Sequence, residues 1–436
     1  MDNLNDTLNN LKFSTDIEFY YCNITYWKTK LFEIGINLPD LITTNATLDY
    51  CNNFLENKGF NSGPVFPLIL YFFRLISDNS FYLNLFYFIL YSLYIFIAYK
   101  VLLGNRKKKF LKISLICISP ILLWLTLFPS TDLIFAVFWL IGVYIFKRYL
   151  NVQPKDIFRY KSLRVSNKLF LVISFISIMI FNLLIRPGAP LILLLVGFWI
   201  LFELKNLFLE FRNKKENFNL KESNLIFISL LFFAVFLIVK IHFSLYSNYA
   251  SAENNDHLFF FSFSPPAPIG LRESIRNSLN TLDSTNLELF LSDPLTILNK
   301  IITFIVLAIN HFIYGIISIS GLQSKLPLMN LQNVGFRDFA SLLKAIYGIF
   351  IALPALYIFF SKTLKMIKIL ISCPMKFIFV DNENFFKISI FSISAIHIVL
   401  SIMMFPHVRY LLPILPFLID NFISFLTLRK KYFYIS

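Results

Sequence analysis

The stretch LFPSTDLIFAVFWLIGVYIFKRYL, Leu127–Leu150, decides the fold class. Pro129 breaks what comes before it, and Ser130 or Thr131 is placed to accept the first free N–H groups of a helix. Asp132 then stands in the first turn, where the positive end of the helix dipole favours an acid. From Leu133 to Phe146 no residue is charged, and Lys147 and Arg148 close the run. The apolar residues do not alternate with polar ones and do not form a single stripe, so every face of this helix needs an apolar surrounding. A bilayer supplies one.

Composition extends that reading to the whole chain. Of 436 residues 57% are hydrophobic and 15% charged, against about 45–50% and 25% in soluble proteins. Mean hydropathy is +0.67. The 53 phenylalanines beside only 12 glycines suit a surface that faces lipid. Apolar runs approaching the roughly 20 residues of a bilayer crossing lie at Phe81–Leu103, Phe110–Phe128, Asp132–Tyr149, Leu169–Ile185, Pro190–Leu204, Leu225–Leu245, Lys300–Ser320, Ala340–Phe360, Phe386–Phe405 and Tyr410–Leu428. The expected fold is all-α, a polytopic transmembrane bundle of nine or ten spans. Four regions follow: an external N-terminal segment, 1–80; a transmembrane core, 81–245; an external loop region, 246–339; and C-terminal membrane helices, 340–436.

The net charge of +15 would suggest nucleic acid in a cytosolic protein. Here most lysines and arginines fall in short loops, at Arg106–Lys109, Lys147–Lys168, Lys205–Lys221, Lys362–Lys387 and Arg429–Lys431. Such loops stay in the cytoplasm, so nucleic-acid binding is set aside and the N-terminal 80 residues are expected outside. Residues 1–60 are polar and lack a basic-then-apolar start, so the first span is expected to act as its own signal. Placing Lys362–Lys387 inside requires nine crossings, with Lys300–Ser320, which contains Asn310 and His311, interfacial or re-entrant. The run Pro64–Ser77 is too short to cross and contains Arg74, so it reads as an amphipathic helix in the outer interface.

Charged residues at the ends of apolar spans are costly and mark candidate sites. On the outer side these are Asp49, Asp132, Arg186, His407 and Arg409, with Asp16 and Glu18 nearer the N-terminus. An acid at the membrane surface can deprotonate a hydroxyl, or hold a divalent metal ion against a phosphate; Asp49 and Asp132 are the residues that could hold such an ion. Asp132 reads either as a dipole-favoured first-turn acid or as a second acid facing the same cavity as Asp49. Arg186 and Arg409 sit on the outer side against the positive-inside bias. A planar guanidinium suits phosphate oxygens, and His407 can add a donor.

In order along the chain, ATLDYCNNFLENKGFNSGPVFPLILYFF, LFPSTDLIFAVFWLIGVYIFKR, LLIRPGAP and PHVRYLLPILP together resemble the polytopic GT-C glycosyltransferases. The layout is similar to that of protein O-mannosyltransferases, aminoarabinose transferases and the second GPI mannosyltransferase. The resemblance implies a polyprenyl-phosphate sugar donor and a glycan, lipid or protein acceptor, at the outer face of a bacterial inner membrane or the lumenal face of an endoplasmic reticulum. It also implies that Asp49, or Asp16 with Glu18, is the catalytic acid, that Asp132 is the second acid, and that Arg186, His407, Arg409 and Tyr410 face the donor phosphate. The alternative from the residues alone is a transporter, flippase or polymerase of lipid-linked polysaccharide.

Overall fold

The computed structural model describes residues 64–76, 80–102, 106–127, 130–151, 161–186, 189–213, 222–246, 336–372, 381–404 and 411–433, together with Phe32, Gly35 and Ile316. Among them the chain is helical and contains no strand. The helices are α1 (Val65–Ile76), α2 (Ser80–Val101), α3 (Arg106–Cys117), α4 (Pro120–Leu127), α5 (Thr131–Leu150), α6 (Lys161–Ile185), α7 (Ala189–Asn213), α8 (Glu222–Tyr246), α9 (Phe336–Tyr347), α10 (Leu353–Ser372), α11 (Asn382–Met404) and α12 (Leu415–Phe433). A five-residue π-helical turn, Gly348–Ala352, joins α9 to α10.

This is a multi-pass membrane protein. Among the described residues six segments are long and apolar enough to cross a bilayer: Phe81–Val101, Thr131–Leu150, Lys168–Ile185, Pro190–Leu209, Leu342–Leu364 and Asn382–Ser401. They match six of the nine expected crossings. Phe110–Phe128, read as one continuous span, is instead the pair α3 and α4, bent by 55°. Where two more crossings were expected, at Leu225–Leu245 and Tyr410–Leu428, the apolar helices are the shorter Phe227–His242 and Leu415–Leu426. The proposed re-entrant run Lys300–Ser320 lies outside the described residues apart from Ile316.

Helix α5 occupies the centre of the bundle. Of its 20 residues, 15 are buried, and it packs against α2, α4, α6, α7 and α11. Against α6, Gly142 makes room for the end of the Met179 side chain: a methyl group there would displace it and touch Phe175. In lipid no hydrophobic force pulls helices together, so close backbone approach at a small residue becomes a main source of association. Trp199 of α7 adds an aromatic cluster, with its ring 4.6 Å from both Tyr149 and Phe175. Helix α1 forms where expected, and Phe66 and Tyr71 are buried in the same core.

The bend after α3 has a local cause. Pro120 has no N–H to donate and disfavours helical geometry at Ser119, so the Ser119 N–H turns to the Ile116 carbonyl. The carbonyls of Leu115 and Cys117 lose their usual helical donors as a result. Tyrosine hydroxyls reach them from other helices: Tyr347 donates to Leu115 O at 3.3 Å and Tyr91 to Cys117 O at 3.2 Å. A third, Tyr94, donates to Leu412 O at 2.6 Å in the turn that precedes α12. That turn corrects another expectation. The run Tyr410–Leu428 does not begin as helix: Leu411–Ile414 forms a tight turn, and the helix starts at Leu415 with Pro416 in its first turn.

Two outcomes test this packing. Gly142→Leu lowers the melting temperature of the detergent-solubilised protein, at the roughly 1–3 kcal/mol cost of overpacking. Gly197→Leu, where no atom lies within 4 Å of the added carbon, leaves it nearly unchanged. Tyr91→Phe and Tyr347→Phe each cost about 0.6–1.7 kcal/mol, the range measured for hydrogen bonds inside membrane proteins, and equilibrium unfolding in mixed micelles measures it. Full stability in both variants would show that the bend does not need its tyrosine donors.

Candidate functional site

The two ends of α5 carry the polar groups. At its N-terminus Ser130 has extended backbone (φ −148°, ψ 165°) and its hydroxyl accepts from the Asp132 N–H at 3.3 Å. This is the N-cap that the Pro-Ser-Thr-Asp sequence suggests. Tyr87 of α2 donates its hydroxyl to the Ser130 carbonyl at 2.6 Å, which ties the cap to the neighbouring helix. The Ser130 hydroxyl also lies 3.5 Å from Asp132 Oδ2.

Because α5 and α6 run antiparallel, the start of α5 meets the end of α6. Arg186 follows the last residue of α6, and its backbone N–H donates to Asn182 O at 3.3 Å. Its guanidinium forms an ion pair with Asp132 Oδ1, with the two side chains 17% and 4% exposed. Both charges are placed well by their own helices, the acid at a positive N-terminus and the base at a negative C-terminus. The first-turn reading of Asp132 is what the structure shows, while Asp49, whose cavity it was expected to face, lies outside the described residues. One turn before Arg186, Asn182 is fully buried, and neither amide atom has a hydrogen-bond partner among the described residues. A buried amide in that condition costs about 1–3 kcal/mol and is a feature that residue counting along the chain does not reveal.

Asp132 and Arg186 are the sequence-predicted site residues that the structure brings together. Asp16, Glu18, Asp49, His407, Arg409 and Tyr410 lie outside the described residues. Asp132, expected as a possible metal ligand, has its Oδ1 paired with the Arg186 guanidinium. Among the described residues no three His, Cys, Asp or Glu side chains come together as a metal site.

The opposite end of α5 is equally polar. Lys147 Nζ donates to the last carbonyls of α2, Lys100 O at 3.0 Å, Val101 O at 2.7 Å and Leu102 O at 3.4 Å. Asn382 of α11 donates to Leu150 O at 2.7 Å. Tyr149 donates its hydroxyl to Glu203 Oε1 of α7 at 2.6 Å, in a fully enclosed site, and Lys168 lies over the Tyr149 ring at 4.8 Å. Further along this side, Lys112 of α3 pairs with Asp420 of α12, and Lys362 donates to Asn421 Oδ1 at 3.0 Å. Lys112, Glu203 and Asp420 were not singled out from the sequence. The signal they carry in the sequence is a charge inside an apolar run.

No family model, curated protein or solved structure matches the chain.

The ion pair at the start of α5 has a measurable signature. Removing one partner of a buried pair strands the other and costs about 3–5 kcal/mol. Asp132→Asn and Arg186→Gln alone are each expected to destabilise by that order, and the double variant by much less than their sum. Chemical denaturation of all four proteins in the same micelle closes the cycle. Additive losses would show that the two side chains act independently.

Proposed function

We propose that this chain is a membrane glycosyltransferase that moves a sugar from a polyprenyl-phosphate donor to a glycan, lipid or protein acceptor at the extracytoplasmic face of a bacterial inner or endoplasmic reticulum membrane. The observation that supports it best is the Asp132–Arg186 pair at the end of the bundle opposite the lysine-rich one. A guanidinium carries five N–H donors, more than one carboxylate takes up, and a pair held at this level is suited to meet a phosphate. The unpartnered buried amide of Asn182 one turn away adds polar capacity at the same place.

In this reading the acceptor hydroxyl oxygen bonds to the anomeric carbon of the sugar. The bond from that carbon to the phosphate oxygen breaks, and its electron pair leaves with the polyprenyl phosphate. The hydroxyl proton passes to a carboxylate, Asp49 first and Asp16 or Glu18 as the rival pair. Arg186, with His407, Arg409 and Tyr410, offsets the charge that grows on the leaving phosphate. Asp132 acts through Arg186 by fixing its position.

A second reading, transport of a lipid-linked saccharide, draws on the bent pair α3 and α4 and the π-helical turn beside α9. Interrupted helices are common at the binding sites of transporters, and π-turns recur at functional sites.

Proteoliposomes given a panel of polyprenyl-phosphate sugars and candidate acceptors separate the two readings by mass spectrometry of the products. Transfer is expected, with Asp49→Asn reducing the rate by about 10²–10⁴-fold, the usual loss of a general base. Arg409→Gln is expected to weaken donor use without unfolding the protein. Movement of intact donor across the bilayer with no new glycosidic product would support the transport reading instead.

A further inference from the structure

The lysine-rich side contains an arrangement that the transfer chemistry does not use. Lys100 closes α2, Lys109 and Lys112 belong to the first turns of α3, Lys147 comes from α5 and Lys362 from α10. Helix α12 brings Asp420 to this group, where it pairs with Lys112, which is only 3% exposed. Lys109 lies within electrostatic range of Lys100, Lys112 and Asp420. Lys147 lies within range of Lys109, Asp420 and Glu383, and Lys362 within range of Asp420. Glu383 already pairs with Lys387 at 2.8 Å. Four ammonium groups, those of Lys109, Lys112, Lys147 and Lys362, therefore have Asp420 in common among the described residues, and Lys100 lies beside Lys109. One carboxylate offsets one of those charges, and the rest repel each other in surroundings that screen poorly.

We propose that this group binds the phosphate of an anionic lipid headgroup from the leaflet it faces. The neighbouring surface indicates a lipid source over a soluble one. Lys100 lies over the Phe96 ring and Lys109 over the Tyr99 ring, each at 5.2 Å. Phe88, Phe96 and Phe110 on the adjoining helices are exposed. A phosphate held by the lysines would continue into acyl chains lying along those aromatic side chains. Basic pockets between membrane helices on the cytoplasmic side are a recurrent site for such headgroups, and the positive-inside rule places this end there. The site is independent of which sugar chemistry the other face carries.

Native mass spectrometry of the full chain, released from nanodiscs of phosphatidylcholine doped with phosphatidylglycerol, tests the proposal. The wild-type protein is expected to retain phosphatidylglycerol in preference to phosphatidylcholine. Lys100→Gln with Lys109→Gln should reduce that preference by about fivefold for each lysine, roughly the contribution of one basic residue near an anionic surface. The two chosen lysines hold no ion pair among the described residues, and Lys109→Gln alone serves if the double variant does not fold. Lys240→Gln, on α8 at the other end of the bundle, should change nothing. A parallel thermal-shift arm uses inorganic pyrophosphate: protection that is lost in the lysine variants, with no lipid preference, keeps the phosphate site and moves its source to solution. No response in either arm, or an equal loss in Lys240→Gln, overturns the proposal.

Discussion

Helix α5 is tied at both ends, and the rest of the bundle is arranged around those ties. At its start the Ser130 cap, the Tyr87 hydroxyl and the Arg186 guanidinium hold it to α2 and α6. At its end Lys147 takes the final carbonyls of α2, and Asn382 takes the carbonyl of Leu150. Between them the helix is almost wholly apolar and mostly enclosed. Apolar side chains in lipid have little preference between a neighbouring helix and an acyl chain, so an apolar helix by itself does not choose its depth or partners. Charged and capped ends do choose, because each has one position in which it is satisfied. Gly142 then makes room for the Met179 side chain of α6.

The same requirement governs the irregular segments. A backbone carbonyl freed inside a bilayer has no water to turn to. The chain interrupts its helices after Cys117 and before Leu415, and at each place tyrosine hydroxyls supply the donors. Tyr87 and Tyr94 are seven residues apart on α2, about 10 Å along a helix axis. The Ser130 carbonyl at one and the Leu412 carbonyl at the other thus mark two depths. The turn Leu411–Ile414 before α12 therefore lies about 10 Å further into the bundle than the start of α5. Irregular backbone at such depth is tolerated where it is enclosed by protein, and Leu411, Leu412 and Ile414 are all buried.

Most of the helical skeleton was legible because each span is a statement about composition. The group at Ser130, Thr131 and Asp132 marked the start of α5 to within a residue, and the apolar runs placed α2, α6, α7 and α11. Hydropathy averages over a window, however, and does not register that Pro120 divides an apolar run into two helices. Partnerships were less visible still. Asp132 and Arg186 were both candidates, but their pairing depends on the antiparallel contact of α5 and α6. The contact from Tyr347 to Leu115 spans most of the chain, and no local pattern implies it. Lys112, Glu203 and Asp420 lay in plain view as charges within apolar runs. Their importance follows from what they meet, which only the packing reveals.

The two polar ends differ in kind, and the difference bears on how they work. At the start of α5 one acid and one base neutralise each other beside a buried amide. Such a site has little net field of its own, and whatever approaches it must compete with Asp132 for the Arg186 guanidinium. Recognition there rests on geometry, on whether an incoming group can accept the remaining donors of the fork without breaking the pair. At the other end four lysines share one aspartate with Lys100 beside them, and the field itself is the attraction. A neutral, pre-paired site discriminates between ligands because a poor fit leaves buried groups unsatisfied. A strongly positive one holds any suitably placed phosphate and discriminates little. In the proposed reading, specific recognition falls to the end that carries Asp132 and Arg186, and anchoring to the end that carries the lysines.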